Sequence, residues 1–156
     1  MMFNKQVFTL VIVIIAISAC VQKDEKKYKE DAFVEILDNE ALKIIDADAK
    51  MEILGEGYIW SEGPVWIEDG QFLLFSDIPN NKIHKIDEGG ASEYLTPAGY
   101  TGKEPRGGEL GSNALLLDNE GNLVLMQHGD RRVAKMNSGL DNPMPDFETI
   151  VGSYEG

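Results

Sequence analysis

From residue 51 onward the apolar positions fall in short runs closed off by Gly, Asp, Asn and Pro, and no 3.6-residue period is sustained. Tyr58–Trp60, Val65–Ile67, Phe72–Ser76 and Lys82–Ile86 form one set of predicted strands. Leu115–Leu117, Leu123–Gln127 and Arg132–Met136 form a second. Turn signals separate them: Glu68-Asp69-Gly70, Ile78-Pro79-Asn80-Asn81, Asn119-Glu120-Gly121 and Gly129-Asp130. The two sets superpose. Gly70 and Gly121 lie 51 positions apart, and at that offset Phe72-Leu73-Leu74-Phe75 falls on Leu123-Val124-Leu125-Met126 and Val65-Trp66 on Leu116-Leu117. After the next turn the match continues with a one-residue slip, Ile83 against Val133. A period near fifty with several strands per period fits the blades of an all-β propeller; two unrelated hairpins of a β-sandwich are the alternative.

The first fifty residues have a different pattern. Lys5 is the one charge before the apolar run Val7–Ala19, which is too short to span a bilayer, since about 20 residues are needed, and fits the core of an export signal. The run ends Ile17-Ser18-Ala19-Cys20, which resembles the bacterial lipobox, so residues 1–19 read as a signal peptide and Cys20 as a lipidated residue. An ordinary secretory signal or a membrane anchor with an incidental Cys is the competing reading. Val21 and Gln22 follow the Cys with no Asp directly after it, which by resemblance to Gram-negative sorting favours the outer membrane. The expected localisation is that of an exported lipoprotein of the cell envelope, held at the membrane by its lipid without spanning it. Residues 21–31 are densely charged and non-periodic, a solvated tether. Phe33, Ile36, Leu37, Leu42, Ile44 and Ile45 form a broken amphipathic segment, expected to strap onto the domain. The domain reading is therefore signal (1–19), lipidated Cys with tether and strap (20–50), and propeller (51–156).

Composition narrows the function without naming it. The 156 residues carry 14 Lys and Arg against 27 Asp and Glu, a net charge of −13, which argues against nucleic-acid binding because phosphate contacts need clustered cations. Loss of Lys5 with the signal makes the chain one unit more negative. A single Cys excludes an internal disulfide and a tetracysteine zinc site.

One polar pair repeats in register. Glu62 and Asn113 are also 51 positions apart, and each stands just before an apolar strand core. The innermost strands of a propeller line its central channel, so equivalent positions in successive blades face one axial space. A carboxylate and a carboxamide there suit a hard divalent cation, which takes oxygen ligands; two water-satisfied polar groups are the bland alternative.

The aligned residues resemble the gluconolactonase, regucalcin and senescence-marker-protein family. The resemblance is carried by Ser61-Glu62-Gly63-Pro64-Val65-Trp66, by Leu74-Phe75-Ser76-Asp77-Ile78-Pro79-Asn80-Asn81-Lys82-Ile83, by Gly111-Ser112-Asn113-Ala114-Leu115-Leu116-Leu117-Asp118 and by Gln127-His128-Gly129-Asp130-Arg131-Arg132-Val133. It implies a six-bladed β-propeller, of which about the first two to three blades are present here, with a divalent ion, often Ca2+, in the central channel. It implies that Glu62 is a metal ligand and that Asn113 lies beside the metal and helps hold substrate. Where the family commonly has Gly after that Asn, this chain has Ala114. The implied activity is hydrolysis of a small-molecule lactone, such as a sugar lactone, with the metal polarising the carbonyl. The family's Asp, ligand and base, and its further Asn ligand have no match within these residues, so no catalytic base is assigned. The chain reads as the N-terminal part of a longer protein or an incomplete gene product, with too few ligands to hold calcium by itself. A non-catalytic envelope propeller that binds a sugar or peptide is the alternative function.

His128 suits proton transfer near neutral pH, but beside Gly129-Asp130 it reads as a turn histidine contacting its own loop. His84, between Ile83 and Lys85, reads as outward-facing. The loop Thr96–Gly111 is long enough to fold over the channel mouth, where Arg106 or Glu109 would meet substrate; a plain connection is the simpler reading. Arg131-Arg132 reads as a solvated turn.

Overall fold

The computed structural model describes residues 27–30 and 32–155. The expected signal, Cys20 and most of the tether lie outside the described residues. A short antiparallel ribbon pairs β1 (Lys27–Tyr28) with β2 (Glu52–Ile53). Between them lies a 3-10 helix, Asn39–Lys43, capped by the Asp38 carboxylate, which accepts the Glu40 amide at 2.9 Å. In the expected strap Phe33, Leu37 and Ile44 are 78%, 86% and 89% exposed, while Ile36 is partly buried. The three exposed residues lie outside the five-residue 3-10 turn, so no regular element aligns them on one face.

The rest is two four-stranded antiparallel meanders. The first comprises β3 (Ser61–Ile67), β4 (Phe72–Asp77), β5 (Lys82–Asp87) and β6 (Gly90–Leu95). The second comprises β7 (Ser112–Leu117), β8 (Leu123–Gln127), β9 (Arg132–Met136) and β10 (Phe147–Val151). These are two blades of a β-propeller, at the lower end of the expected two to three. The outer strands β6 and β10 were not predicted: Gly90–Glu93 and Glu148–Val151 are exposed and carry no burial alternation. Conversely, Tyr58–Trp60 is not a strand; the first sheet begins at Ser61, and the preceding residues are held by side-chain bonds described below.

The core lies between the sheets. Val65, Ile67, Phe72, Leu74 and Ile83 of the first blade meet Leu115, Leu117, Leu123, Leu125 and Met136 of the second, closed by Leu95 and Ala98. Full burial of each such side chain contributes about 1.5–3 kcal/mol. At its periphery the half-buried Tyr94 donates its hydroxyl to the Leu140 carbonyl at 2.8 Å, linking the edges of the blades. Burial, with Asp141 nearby, pushes its phenol up to about 12.

This packing corrects the repeat register. Equivalent residues of successive blades face the same way round the axis, so a residue of blade one that faces blade two cannot match a residue of blade two that faces blade one. Phe72, Leu74, Leu123 and Leu125 all lie in the shared core. Leu73 and Phe75 are therefore the counterparts of Leu123 and Leu125, an offset of 50 on β4. Strand pairing agrees: Val65 opposes Leu74 as Leu116 opposes Val124. The offset of 51 holds on β3, keeping Glu62 in register with Asn113, and the slip expected after β4 comes one strand earlier. Both faces of β4 and β8 are apolar, so hydrophobicity alone does not distinguish registers one residue apart.

Candidate functional site

Chain direction gathers the candidate residues at one end of both sheets. β3 starts there with Ser61 opposite Asp77, the last residue of β4. The turn Ile78–Asn81, the end of β6, the loop 96–111, the start of β7 and the turn His128–Arg131 follow at the same end. Both inner strands carry a bulge there, between Glu62 and Val65 and between Ser112 and Leu115. At the bulges β3 and β7 meet backbone to backbone. Gly63, at φ +57°, has its Cβ direction filled by the Asn113 carbonyl oxygen at 2.2 Å and the Ala114 Cα at 2.7 Å. Only glycine fits, and that contact brings the backbones beside Glu62 and at Asn113 together. The two predicted site residues are exposed on this rim, and Glu62 Oε1 accepts the Trp60 indole N–H at 3.2 Å. Beneath them a buried hydroxyl pair, Ser76 and Ser112, spans the interface at 2.8 Å.

Oxygen donors of this kind suit a divalent cation, and the exposure of both leaves them accessible. They are two donors where calcium takes six to eight, and among the described residues no group of three or more His, Cys, Asp or Glu is placed to hold a metal. The donor chemistry fits part of a metal site; these two blades do not form the whole of one.

The loop 96–111 is tied down. Asn81 Oδ1 accepts the amides of Ala98, Gly99 and Tyr100 at 3.1, 2.7 and 3.2 Å, and its Nδ2 donates to the Tyr100 carbonyl. Gln127 Nε2 donates to the Ala98 carbonyl, and Thr101 binds Asp130. Arg106 stacks over the Tyr100 ring at 5.3 Å and donates to the Gly129 carbonyl, so its guanidinium fastens the loop to the β8–β9 turn. The His128 carbonyl accepts the Arg131 amide of its own turn at 3.3 Å, while its imidazole meets the long loop, with Nε2 3.7 Å from Glu109 Oε2. Arg132 is not solvated either: it binds Gln127 Oε1 at 2.6 Å, Thr149 Oγ1 at 2.9 Å and the Asp130 carboxylate at 3.2 Å. Arg131 is exposed.

His84 does not face outward into solvent. It stacks on Phe75 at 5.5 Å, contacts Tyr58 at 4.8 Å and lies 3.8 Å from Asp77, with Nε2 buried and without a hydrogen bond. Asp77 itself, 1% exposed, collects the Ile59 and Trp60 amides and the Asn80 side chain. In the sequence Asp77 is marked only by its place in the Ser76-Asp77-Ile78-Pro79 motif at the end of an apolar strand.

The chain belongs to the SMP-30/gluconolactonase/LRE-like family, whose pattern matches residues 60–151. A gluconolactonase of Zymomonas mobilis is 34% identical over 116 residues, 72% of this chain and 32% of that protein. A solved gluconolactonase of Xanthomonas campestris superposes with a TM-score of 0.55 at 24% identity, over 70% of this chain and 32% of the other. Another solved structure, named provisionally as a gluconolactonase, gives 0.52 at 26% identity over 66% of this chain and 31% of the other. The chain thus spans about a third of the length of these relatives.

Proposed function

We propose that the whole protein is a metal-dependent lactone hydrolase of the gluconolactonase type, to which this chain contributes the first two blades. Family membership supports the reaction class. The observation that supports the site is the close approach of β3 and β7 at Gly63, which sets Glu62 and Asn113 on one rim. Glu62 would hold the cation through its carboxylate, together with ligands from outside these two blades. When bound, a divalent ion, calcium in this reading, supplies Lewis-acid polarisation of the lactone carbonyl. Asn113 orients the substrate through its carboxamide, an acceptor and a donor on one side chain. The tied-down loop 96–111 forms a fixed wall at the same end of the blades. Exported and lipidated at Cys20, the protein would act on a sugar lactone or similar ester in the cell envelope.

In the full-length protein, Glu62→Gln is expected to abolish hydrolysis of a sugar δ-lactone and to weaken calcium binding by calorimetry, with an unchanged far-ultraviolet spectrum. Retained activity with bound metal overturns the role of Glu62. Sugar binding without turnover by the wild type supports the non-catalytic reading instead. Cys20→Ser should abolish incorporation of labelled palmitate; undiminished labelling refutes the anchor.

A further inference from the structure

We propose that Asp77 is a positioning residue that sets the orientation of Glu62 through Trp60. Asp77 is the last residue of β4, at the end of the sheets that bears Glu62. Its buried carboxylate accepts the Trp60 amide at 3.2 Å and the Ile59 amide at 3.3 Å, and the Asn80 side chain donates to it at 2.8 Å. The Trp60 carbonyl in turn accepts the Ile78 amide at 3.2 Å. These bonds fix both polar groups of the Trp60 backbone just before β3 begins. The half-exposed indole then has one polar atom, and it donates to Glu62 Oε1 at 3.2 Å. Asp77, Trp60 and Glu62 thus form a hydrogen-bonded chain from the buried end of β4 to the rim.

Comparison of the blades explains why a carboxylate stands there. With the offset of 50 on β4, Gln127 is the counterpart of Asp77 and is equally buried. Gln127 donates to a carbonyl, that of Ala98, whereas Asp77 accepts two backbone amides. A carboxylate is acceptor-only and strongest with several N–H donors. An Asn in its place presents an amide of its own to the Asn80 donor. His84 Nε2, 3.8 Å from Asp77, makes no hydrogen bond to it, so the carboxylate serves the Ile59 and Trp60 amides and the Asn80 side chain. Groups that orient a metal-binding side chain typically cost 10–100-fold in affinity or activity when removed.

This inference rests on the proposed role of Glu62 only in its functional consequence; the hydrogen-bonded chain can be read without metal. The test uses the full-length protein with Trp66→Phe, which simplifies the indole region of a 15N-labelled spectrum. The Trp60 indole N–H resonance should move on Glu62→Ala, and Asp77→Ala, which removes the acceptor of the Trp60 amide, should move it in the same direction. In the same Asp77→Ala protein, calcium affinity should fall about 10–100-fold. An indole resonance left at the wild-type position in a folded Asp77→Ala protein overturns the proposal. If Asp77→Ala does not fold, Trp60→Phe decides: it keeps the Asp77 anchor's acceptor role and removes the indole donor, so unchanged calcium affinity refutes the chain. Absence of calcium binding by the wild type refutes the functional reading of Glu62, while the indole shift still judges the positioning.

Discussion

Gly63→Ala is the sharpest test of how the two blades are joined. A Cβ at residue 63 would lie 2.2 Å from the Asn113 oxygen, 2.7 Å from the Ala114 Cα and 2.9 Å from the Leu115 nitrogen, all backbone atoms of the β7 bulge. None swings aside as a side chain does, so the strands must separate. Two costs add: an L-residue at φ +57° costs about 1–2 kcal/mol, and forcing extra volume into a packed contact costs about 1–3 kcal/mol. The expected loss is about 2–5 kcal/mol, a large share of the 5–15 kcal/mol typical of a domain. Gly121→Ala is the matched control. Gly121 sits at φ +83° with nothing within 4 Å of its Cβ direction, so the substitution incurs the conformational cost alone, about 1–2 kcal/mol. Urea unfolding of both variants in the full-length protein, read at constant m-value, separates the terms. A Gly63→Ala loss no larger than that of Gly121→Ala refutes the claim that backbone contact at the bulges holds Glu62 beside Asn113.

Other perturbations probe the interface and its edge. Leu125→Ala, at a position with no exposed surface, should cost about 2–5 kcal/mol by chemical denaturation; a loss below about 1 kcal/mol refutes the core assignment. Ser76→Ala should cost about 1–3 kcal/mol by leaving the Ser112 hydroxyl buried alone, and Ser76→Ala with Ser112→Ala should recover part of that loss in a double-mutant cycle. Additive losses refute the pairing. The Tyr94 phenol is pushed up to about 12 in the folded state from an ordinary value of 10.0, so its contribution is complete below pH 10 and lost as pH rises towards 12. Since the ring is half-buried, solvent screening reduces that contribution to about 1 kcal/mol. Tyr94→Phe should flatten the fall in stability between pH 10 and 12, and an unchanged slope refutes the linkage.

The inner strands were legible because each combines an apolar core with a turn signal at both ends. The outer strands were not: Gly90–Leu95 and Phe147–Val151 lie at sheet edges, where few positions are buried and alternation has no reason to appear. Register failed for the opposite reason. Phe72, Leu74 and Phe75 are all buried, with Phe72 and Leu74 in the shared core and Phe75 against Tyr58 and His84, so apolarity carried no face information. Positive φ carried it instead: Asn81 at +55° and Arg131 at +58° occupy matching turns 50 residues apart. The same distinction governs the site. Glu62 and Asn113 stand out as candidates because they repeat at the start of equivalent strands, whereas Asp77 and Gln127 use opposite chemistry at one position, an acceptor for amides in the first blade and a donor to a carbonyl in the second. A search for repeated residues passes over such a pair. What repeats is the tethering of a segment leading towards the next inner strand, and that shows only when the donors and acceptors are placed.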